Sequence, residues 1–566
     1  MSNRYVYVFA NGAADGDGSM KDILGEKGAG LAEMTNVGLP VPPGFTITPE
    51  AYIAYAGKSR ADMWDQVLAR FMQVKNATTP KFPAGMWDQV LAGVKAIEKA
   101  TGKEFGGTTN PLLLSVRSGA KFFMPGMMDA VLNVGLNQKI VQGLTEQTSN
   151  ERFALDTYRR FIQMFGTIVL GVDGELFDEA LNKAKKAARA TVDATLNVEH
   201  LSAVCREFKK IVITETESEF PYDPYDQLEE AIKAVFRSWN SERAQAYRHR
   251  ERIPDDLGTG VNIQAMVFGN MDDDSGTGVA FTRNQATGEN ELFGDYLANA
   301  QGNDVFAGIR TPKRIDELRE YMPEIYNQLA DVARKLETHY KDMQDIEFTV
   351  ERGTLWMLQT RDGRRTGPAA VRIAVEMVRE GLIDEKTALT RITADHIDQL
   401  SCKVIDPEAI DIENVLTTGI NASPGAVSGM VVFTSQDAEA MKEEGEDVIL
   451  VRHETSPEDA RGMEAALGIL TSTGGLTSHA AVIARGWRKP CVVGASEIVI
   501  NYAKNQFTVG GKRVKRGEWI TVDGTTGRVI LGEEPIIDPE PGDEFRQLME
   551  WAHNARAVAD TAPPQQ

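Results

Sequence analysis

A chain of 566 residues is too long for one core, and about 100 to 200 residues per domain predicts three or four folding units. Hydrophobic residues at 42% and charged residues at 25% describe a globular protein, while a formal net charge of −21 argues against wrapping nucleic acid or coating an anionic membrane. Cys205, Cys402 and Cys491 are far apart with no CxxC, which excludes a disulfide framework, and the lack of an apolar leader or of about 18 consecutive apolar residues predicts a soluble, cytoplasmic protein.

In chain order, a short strand over Tyr5 to Phe9 precedes a Gly-rich turn and a helix over Leu24 to Met34. Val41-Pro42-Pro43 breaks that helix, and the β-branched residues of Phe45-Thr46-Ile47-Thr48 start a strand. From about Val141 to Arg252 helix formers dominate, as in Asp178 to Ala190, and predict an inserted helical subdomain. Strands return at Val261–Phe268 and Gly278–Arg283; the acidic, Gly-rich Asp272–Gly276 between them predicts a hairpin with a long mobile tip. A second hairpin is expected from Asp345–Val350, a turn at Glu351-Arg352-Gly353, and Leu355–Arg361, with Asp345 and Glu347 on one face and Gln359 and Arg361 on one face of the return strand. Helices from Pro368 to Arg391 read as a connector, and from about Ile420 a small, self-contained β-rich unit runs to Ile530. Beyond Gly532 the sequence is acidic and proline-broken, with one short helix.

The most informative run is Gly474-Gly475-Leu476-Thr477-Ser478-His479-Ala480-Ala481-Val482-Ile483-Ala484-Arg485. Two glycines turn the backbone, Thr477 or Ser478 caps a helix, and that helix starts at an imidazole. The positive helix end disfavours imidazolium, so the ring stays a neutral nucleophile near pH 7, and the same free N–H groups welcome a phosphoryl group. The bland alternative is a histidine beside a cap with no further role. With no GxxxxGK[ST] loop and no GxGxxG after a strand, a nucleotide needs another phosphate cradle. Lys27, Arg117 and Arg361 each stand beside glycines or strand ends, although each taken singly reads better as a solvated surface charge. Asp345 and Glu347, with Gln359 across the hairpin, supply oxygen ligands for Mg2+, or else form an exposed acidic strand face. The Asp272–Gly278 loop is a candidate lid over phosphates, or an ordinary hairpin tip.

The histidine run resembles the phosphohistidine motif GGMTSHAAVVARG of the phosphoenolpyruvate-utilising enzymes, with Leu476 in place of Met. The stretches GEKGAGLAEM, SVRSGAKFFMPGMMDAVLNVGLN, GTGVAFTRN, DMQDIEFTV and LQTRDGRRT extend a resemblance to the pyruvate phosphate dikinase family from residue 5 to about residue 552. That resemblance implies an α/β multidomain chain: an ATP-grasp nucleotide-binding domain over 1–136 and 223–365 with a helical insertion at 137–222, a helical linker over 366–418, a compact β/α swivelling phosphohistidine domain over 419–532, and a linker remnant over 533–566. It implies that Lys27 and Arg117 bind ATP phosphates, that Gln264, Met266 and Val267 lie along the adenine, and that Glu347 and Gln359 coordinate Mg2+. Asp345 would support the metal, Arg361 the transferred phosphates, and Thr477 is a candidate for regulatory phosphorylation. Met124-Pro125-Gly126-Met127-Met128-Asp129 and Ser478 favour the dikinase over phosphoenolpyruvate synthase, which usually carries SVRSSA, no PGMMD, and Cys before the histidine. Asp295 and Asn303, where the family usually has Glu, are departures.

The implied chemistry begins with attack of neutral His479 on the β-phosphorus of ATP, releasing AMP; inorganic phosphate then removes the outer phosphoryl group as pyrophosphate, and phosphohistidine remains. The alternatives are a synthase-like kinase that uses water, and a non-catalytic phosphocarrier or regulatory binding protein. Only 34 residues follow Gly532, whereas the family's pyruvate-converting barrel takes about 250, so these residues are expected to lack the pyruvate site; the readings are a fragment of a longer protein, one half of a split enzyme with the barrel on a separate chain, or a stand-alone kinase with another acceptor.

Overall fold

Strand Gly260–Ala265 is buried at every position, so its place is the interior of a sheet, with partners on both sides. In the computed structural model it pairs antiparallel with Gly44–Ile47 on one side and Leu114–Gly119 on the other. The model describes residues 3–57, 81–122, 124, 126–190, 193–302, 312–400, 402–406, 409, 414–476, 478–539 and 542–561. Two compact units emerge: Met1–Val267 with Trp356–Thr360, and Phe268–Leu355 with Arg361–Gln566. Thr477, Asn303 and Pro125 lie outside the described residues.

In the first unit, β1 (Val6–Ala10), β2 (Gly44–Ile47), β3 (Leu114–Gly119), β4 (Ala130–Val134) and β5 (Gly260–Ala265) form an antiparallel sheet in the order β1-β2-β5-β3-β4, with the two-residue strand Ala13–Ala14 outside β1. Helix α1 (Lys21–Asn36) kinks at Gly25, whose φ is +70°. A Cβ there would stand 1.9 Å from the Gly119 carbonyl oxygen, so only glycine lets the helix come this close to the end of β3. The helical stretch expected after residue 141 is present: Gln138–Thr148, Glu151–Ile168, Gly174–Ala188 and Val198–Thr216 are helices. Their caps are Asn137, Asn150, Asp173 and Asn197, each accepting a backbone N–H of the first turn.

The expected hairpin of 261–268 with 278–283 does not form. β5 lies in the first unit's sheet, and β6 (Gly276–Phe281) in the second unit's, between β7 (Phe293–Ala298) and β8 (Gln344–Glu351). Both strands are buried throughout, and a strand with no polar face carries no alternation to mark its partner. The acidic loop is likewise no free tip. Asp272 accepts Ser275 Oγ at 2.6 Å and pairs with Arg352 at 2.8 Å, and the Gly353 N–H donates to the Asp274 carbonyl, which ties the loop to the 351–353 turn.

A five-stranded sheet runs Lys313–Arg314, β7, β6, β8, β9, where β9 is Thr354–Asp362 and its residues 356–360 are counted with the first unit; the expected neighbours 345–350 and 355–361 are side by side. Helix α2 (Gly367–Arg379) covers this sheet through Ala369, Ile373 and Met377 against Val279, Phe281 and Phe293. Arg283, fully buried, ties the sheet to two helices by ion pairs to Glu337, Glu376 and Glu380, which hold its guanidinium firmly charged. The C-terminal tail is more than a short helix: a 19-residue helix, Asp543–Thr561, packs Leu548 and Trp551 on Val371, Ala374 and Val375.

The rest of the second unit is built on an eight-stranded sheet. Its centre is a parallel run of Ala426–Val432, β10 (Val448–Arg452), β11 (Gly468–Thr471) and β12 (Cys491–Val493). Parallel neighbours require crossovers, and helix α3 (His479–Trp487) is the crossover from β11 to β12. Ala480, Ala481 and Ala484 form its buried face, packed on Ile469, Cys491 and Val493.

Candidate functional site

His479 is the first residue of α3, at the carboxyl end of a parallel strand, the usual place for a ligand in an open α/β sheet. Gly474 turns the chain with a φ of +100°, and Ser478, extended at φ −62° and ψ 158°, caps the helix by accepting the Ala481 N–H at 3.5 Å. The next strand end, after β10, delivers Thr455, whose Oγ1 lies 3.0 Å from His479 Nδ1. With Nδ1 engaged, Nε2 is the nitrogen left for chemistry. Burial of the half-buried ring lowers its pKa below the ordinary 6.5, opposed by Asp459 and Glu458. Burial is thus the leading cause of the neutral ring, where the sequence pointed to the helix end. Thr455 escaped the sequence reading, since its only signal is a hydroxyl residue just past a buried strand.

The shift has a consequence for pH. For a neutral-ring nucleophile whose pKa is lowered, the initial rate of histidine phosphorylation is expected to stay level from pH 8 down through 6.5 and to fall only below that. A rate profile with its half-maximum above pH 7 would contradict this.

In the second unit, Arg361 binds Asp345 Oδ2 at 2.6 Å and reaches Glu347 at 3.8 Å, so strand alternation places all three together as expected. Burial raises the Asp345 pKa and the Glu347 charge adds to it, while Arg361 lowers it. Asp345 Oδ1 is buried with no hydrogen-bond partner among the described residues. An orphaned carboxylate oxygen beside a second carboxylate suits a hard cation, so the donor set fits Mg2+.

In the first unit, the kink at Gly25 sets Glu26 N–H on the Ala120 carbonyl at 3.0 Å and brings the Lys27 turn to the end of the strand that carries Arg117. Arg117 donates to Gln264 Oε1 at 2.5 Å and to the Leu358 carbonyl at 3.4 Å. Gln264, which the resemblance lays along the adenine, is buried and committed at both ends, since its Nε2 donates to the Pro42 carbonyl at 2.8 Å. Its side chain orients Arg117, leaving Met266 and Val267, half-buried beyond the end of β5, as the exposed part of that stretch. Gln359 is buried on β9 among the residues of this unit, one residue before Thr360, whose carbonyl sits 3.3 Å from where a Cβ of Gly30 would lie.

Residues 21–322 and 317–382 match the family model described as pyruvate phosphate dikinase, AMP/ATP-binding domain. The chain belongs to the pyruvate phosphate dikinase family. Residues 444–527 match the PEP-utilising enzyme mobile domain, the segment that holds Thr455, Asp459 and His479. Among the similar relatives, a chloroplastic pyruvate, phosphate dikinase of Mesembryanthemum crystallinum is 47% identical over 556 residues, 98% of this chain and 56% of the relative. Pyruvate, phosphate dikinase 2 of Oryza sativa subsp. japonica is 48% identical over 555 residues, 98% of this chain and 60% of the relative, and that of Zea mays is 47% identical over 560 residues. The chain therefore spans somewhat over half the length of these relatives. Within the pyruvate phosphate dikinase family, Lys27, Arg117, Gln264, Asp345, Glu347, Gln359 and Arg361 all fall inside the matched nucleotide-binding segments. No helix among the described residues is long and apolar enough to cross a membrane.

Proposed function

We propose that these residues carry out the nucleotide half of the dikinase reaction, phosphorylating His479 at the expense of ATP and phosphate. The observation that carries the reading is the histidine itself: a neutral Nε2, oriented through Nδ1 by Thr455, at the first turn of a capped helix. Nε2 attacks the β-phosphorus of ATP; the N–P bond forms, the bond from the β-phosphorus to the bridging oxygen breaks, and AMP leaves. Inorganic phosphate then attacks the outer phosphorus and departs with it as pyrophosphate, leaving one phosphoryl group on His479.

The chain's own part is positioning and charge neutralisation. Lys27 and Arg117 in the first unit hold phosphate oxygens, with Gln264 fixing the Arg117 fork. In the second unit Arg361 faces the transferred phosphoryl groups while Asp345 and Glu347 supply oxygen ligands; Gln359, which belongs to the first unit, is the further ligand that the family resemblance implies. Mg2+ bound there neutralises phosphate charge and aligns the polyphosphate. ATP, AMP, phosphate and pyrophosphate are the small-molecule partners of this reading, and a pyruvate-binding barrel is the acceptor site that the family implies.

Product analysis tests it against the synthase-like alternative. With ATP labelled in turn at β and γ, the β label is expected on His479 and the γ label in pyrophosphate, with one AMP per phosphoenzyme and strict dependence on added phosphate. Orthophosphate as the sole inorganic product, formed without added phosphate, would support water as the acceptor instead. Nucleotide binding with no label on the protein would support a non-catalytic carrier.

A further inference from the structure

One face of the first unit's sheet is polar where α1 crosses it. Register sets Asn262 of β5 opposite Thr46 of β2 on one side and opposite Arg117 of β3 on the other, with Gln264, further along β5, opposite Ser115. Residues directly opposite one another share a face, so these five side chains leave the sheet on the same side. Val261 and Ile263, on the other face, are buried and apolar.

Asn262 is 0% exposed, and its amide is satisfied at one end only. Oδ1 accepts Thr46 Oγ1 at 2.8 Å, whereas Nδ2 is buried with no hydrogen-bond partner among the described residues. Glycines stand against both ends. A Cβ on Gly28, the residue after Lys27, would lie 3.0 Å from Oδ1, and a Cβ on Gly119, at the end of the strand that carries Arg117, would lie 2.5 Å from Nδ2. With glycine at these positions, neither residue lays a side chain over the amide. The orphaned donor therefore sits between the Lys27 turn and the Arg117 strand.

Packing alone does not call for an amide here. A buried donor without an acceptor carries its desolvation cost with no bond to offset it, and an apolar residue of the same size would avoid that cost. Gln264, its neighbour on the same face, is bonded at both ends. We propose that Asn262 is a further nucleotide-binding residue, its Nδ2 donating to an oxygen of the polyphosphate that Lys27 and Arg117 hold. The proposal rests on the reading of those two cations as phosphate-binding. Thr46, by donating to Oδ1, keeps the amide hydrogens turned toward the end of β3, and a bond to an anionic oxygen is stronger than one to a neutral acceptor. A neutral donor also adds to the grip without setting a third positive charge beside Lys27 and Arg117.

Calorimetric titration of the full chain with two ligands separates a phosphate contact from general damage: adenosine, which has the base and no phosphate, and α,β-methylene ATP, whose α–β bridge cannot be cleaved. In the double variant Thr46→Val/Asn262→Leu, which removes the amide together with its hydroxyl partner, affinity for α,β-methylene ATP is expected to fall about tenfold or more, and affinity for adenosine to stay within about twofold. The urea midpoint of this variant without nucleotide is expected at or above that of wild type, since no orphaned donor is left. Asn262→Asp keeps the size and the bond from Thr46 but turns an acceptor toward the phosphates; it should show the same split between the ligands, and it decides the question should the double variant not fold. Unchanged affinity of the double variant for α,β-methylene ATP, or equal losses for both ligands, would overturn the assignment and leave Asn262 a structural residue. A wild-type chain that binds no α,β-methylene ATP would remove the nucleotide reading and this assignment with it, whereas absence of label on His479 with that binding intact would leave the assignment standing.

Discussion

His479→Asn is expected to abolish the transfer of β-label from ATP to the protein. Asparagine fits the first position of α3 without disturbing the Ser478 cap, and its amide still reaches toward Thr455, so helix and loop are preserved while the nucleophilic nitrogen is lost. Nucleotide affinity, set in this reading by Lys27, Arg117 and the acidic strand, should change by less than about twofold, as expected for a residue that acts after binding. Mass spectrometry under alkaline conditions locates the label, and isothermal titration gives ATP affinity. Label surviving at another residue of the variant would sink the assignment, and collapse of ATP binding would mark His479 as a structural residue.

Arg361→Ala is the second large effect, and it acts twice. Side-chain exposures of 13% for Arg361 and 7% for Asp345 make theirs a buried pair. Removing one partner of such a pair costs about 3 to 5 kcal/mol, because the other charge is left buried, and a large fall in the urea midpoint is expected. With Arg361 gone, the burial and Glu347 charge that already raise the Asp345 pKa act unopposed by their main counterweight. Asp345→Asn in the same chain removes the stranded charge and should restore most of the stability. Catalysis should not return with it. Loss of a cation facing the developing phosphoryl charge costs about 100- to 1000-fold in rate, and that deficit stays in the double variant. An unfolding free energy within about 0.5 kcal/mol of wild type for Arg361→Ala would place the pair among surface ion pairs of little consequence, and recovery of labelling in the double variant would make Arg361 purely structural.

Local chemistry was legible. Each Asn or Asp cap of the helical stretch precedes its helix in the sequence, the 344–362 hairpin announces itself by alternation around a Glu-Arg-Gly turn, and Gly474, Gly475 and Ser478 specify the turn that starts a helix at His479. In all of these the groups that interact lie within about twenty residues of one another, so spacing alone encodes the contact. Strand partnership was not legible: β5 and β6 follow one another and are buried throughout, and the sheets that receive them are set by residues far away in the chain.

The sequence by itself, with its family resemblance, named the candidates for the chemistry: His479 as nucleophile, Asp345 and Glu347 as oxygen donors, and Lys27, Arg117 and Arg361 as phosphate cations. Tertiary structure alone decided how those side chains are held. Gln264 reaches Arg117 across 147 positions, Thr455 meets His479 because two parallel strands end side by side, and Asp295 reaches Leu476 across 181 positions. Such pairs leave no periodic trace, because either partner satisfies the local rules of its own strand or loop whether or not the other exists. Their stability comes from desolvation and from the register of whole sheets, quantities that exist only once the chain has folded.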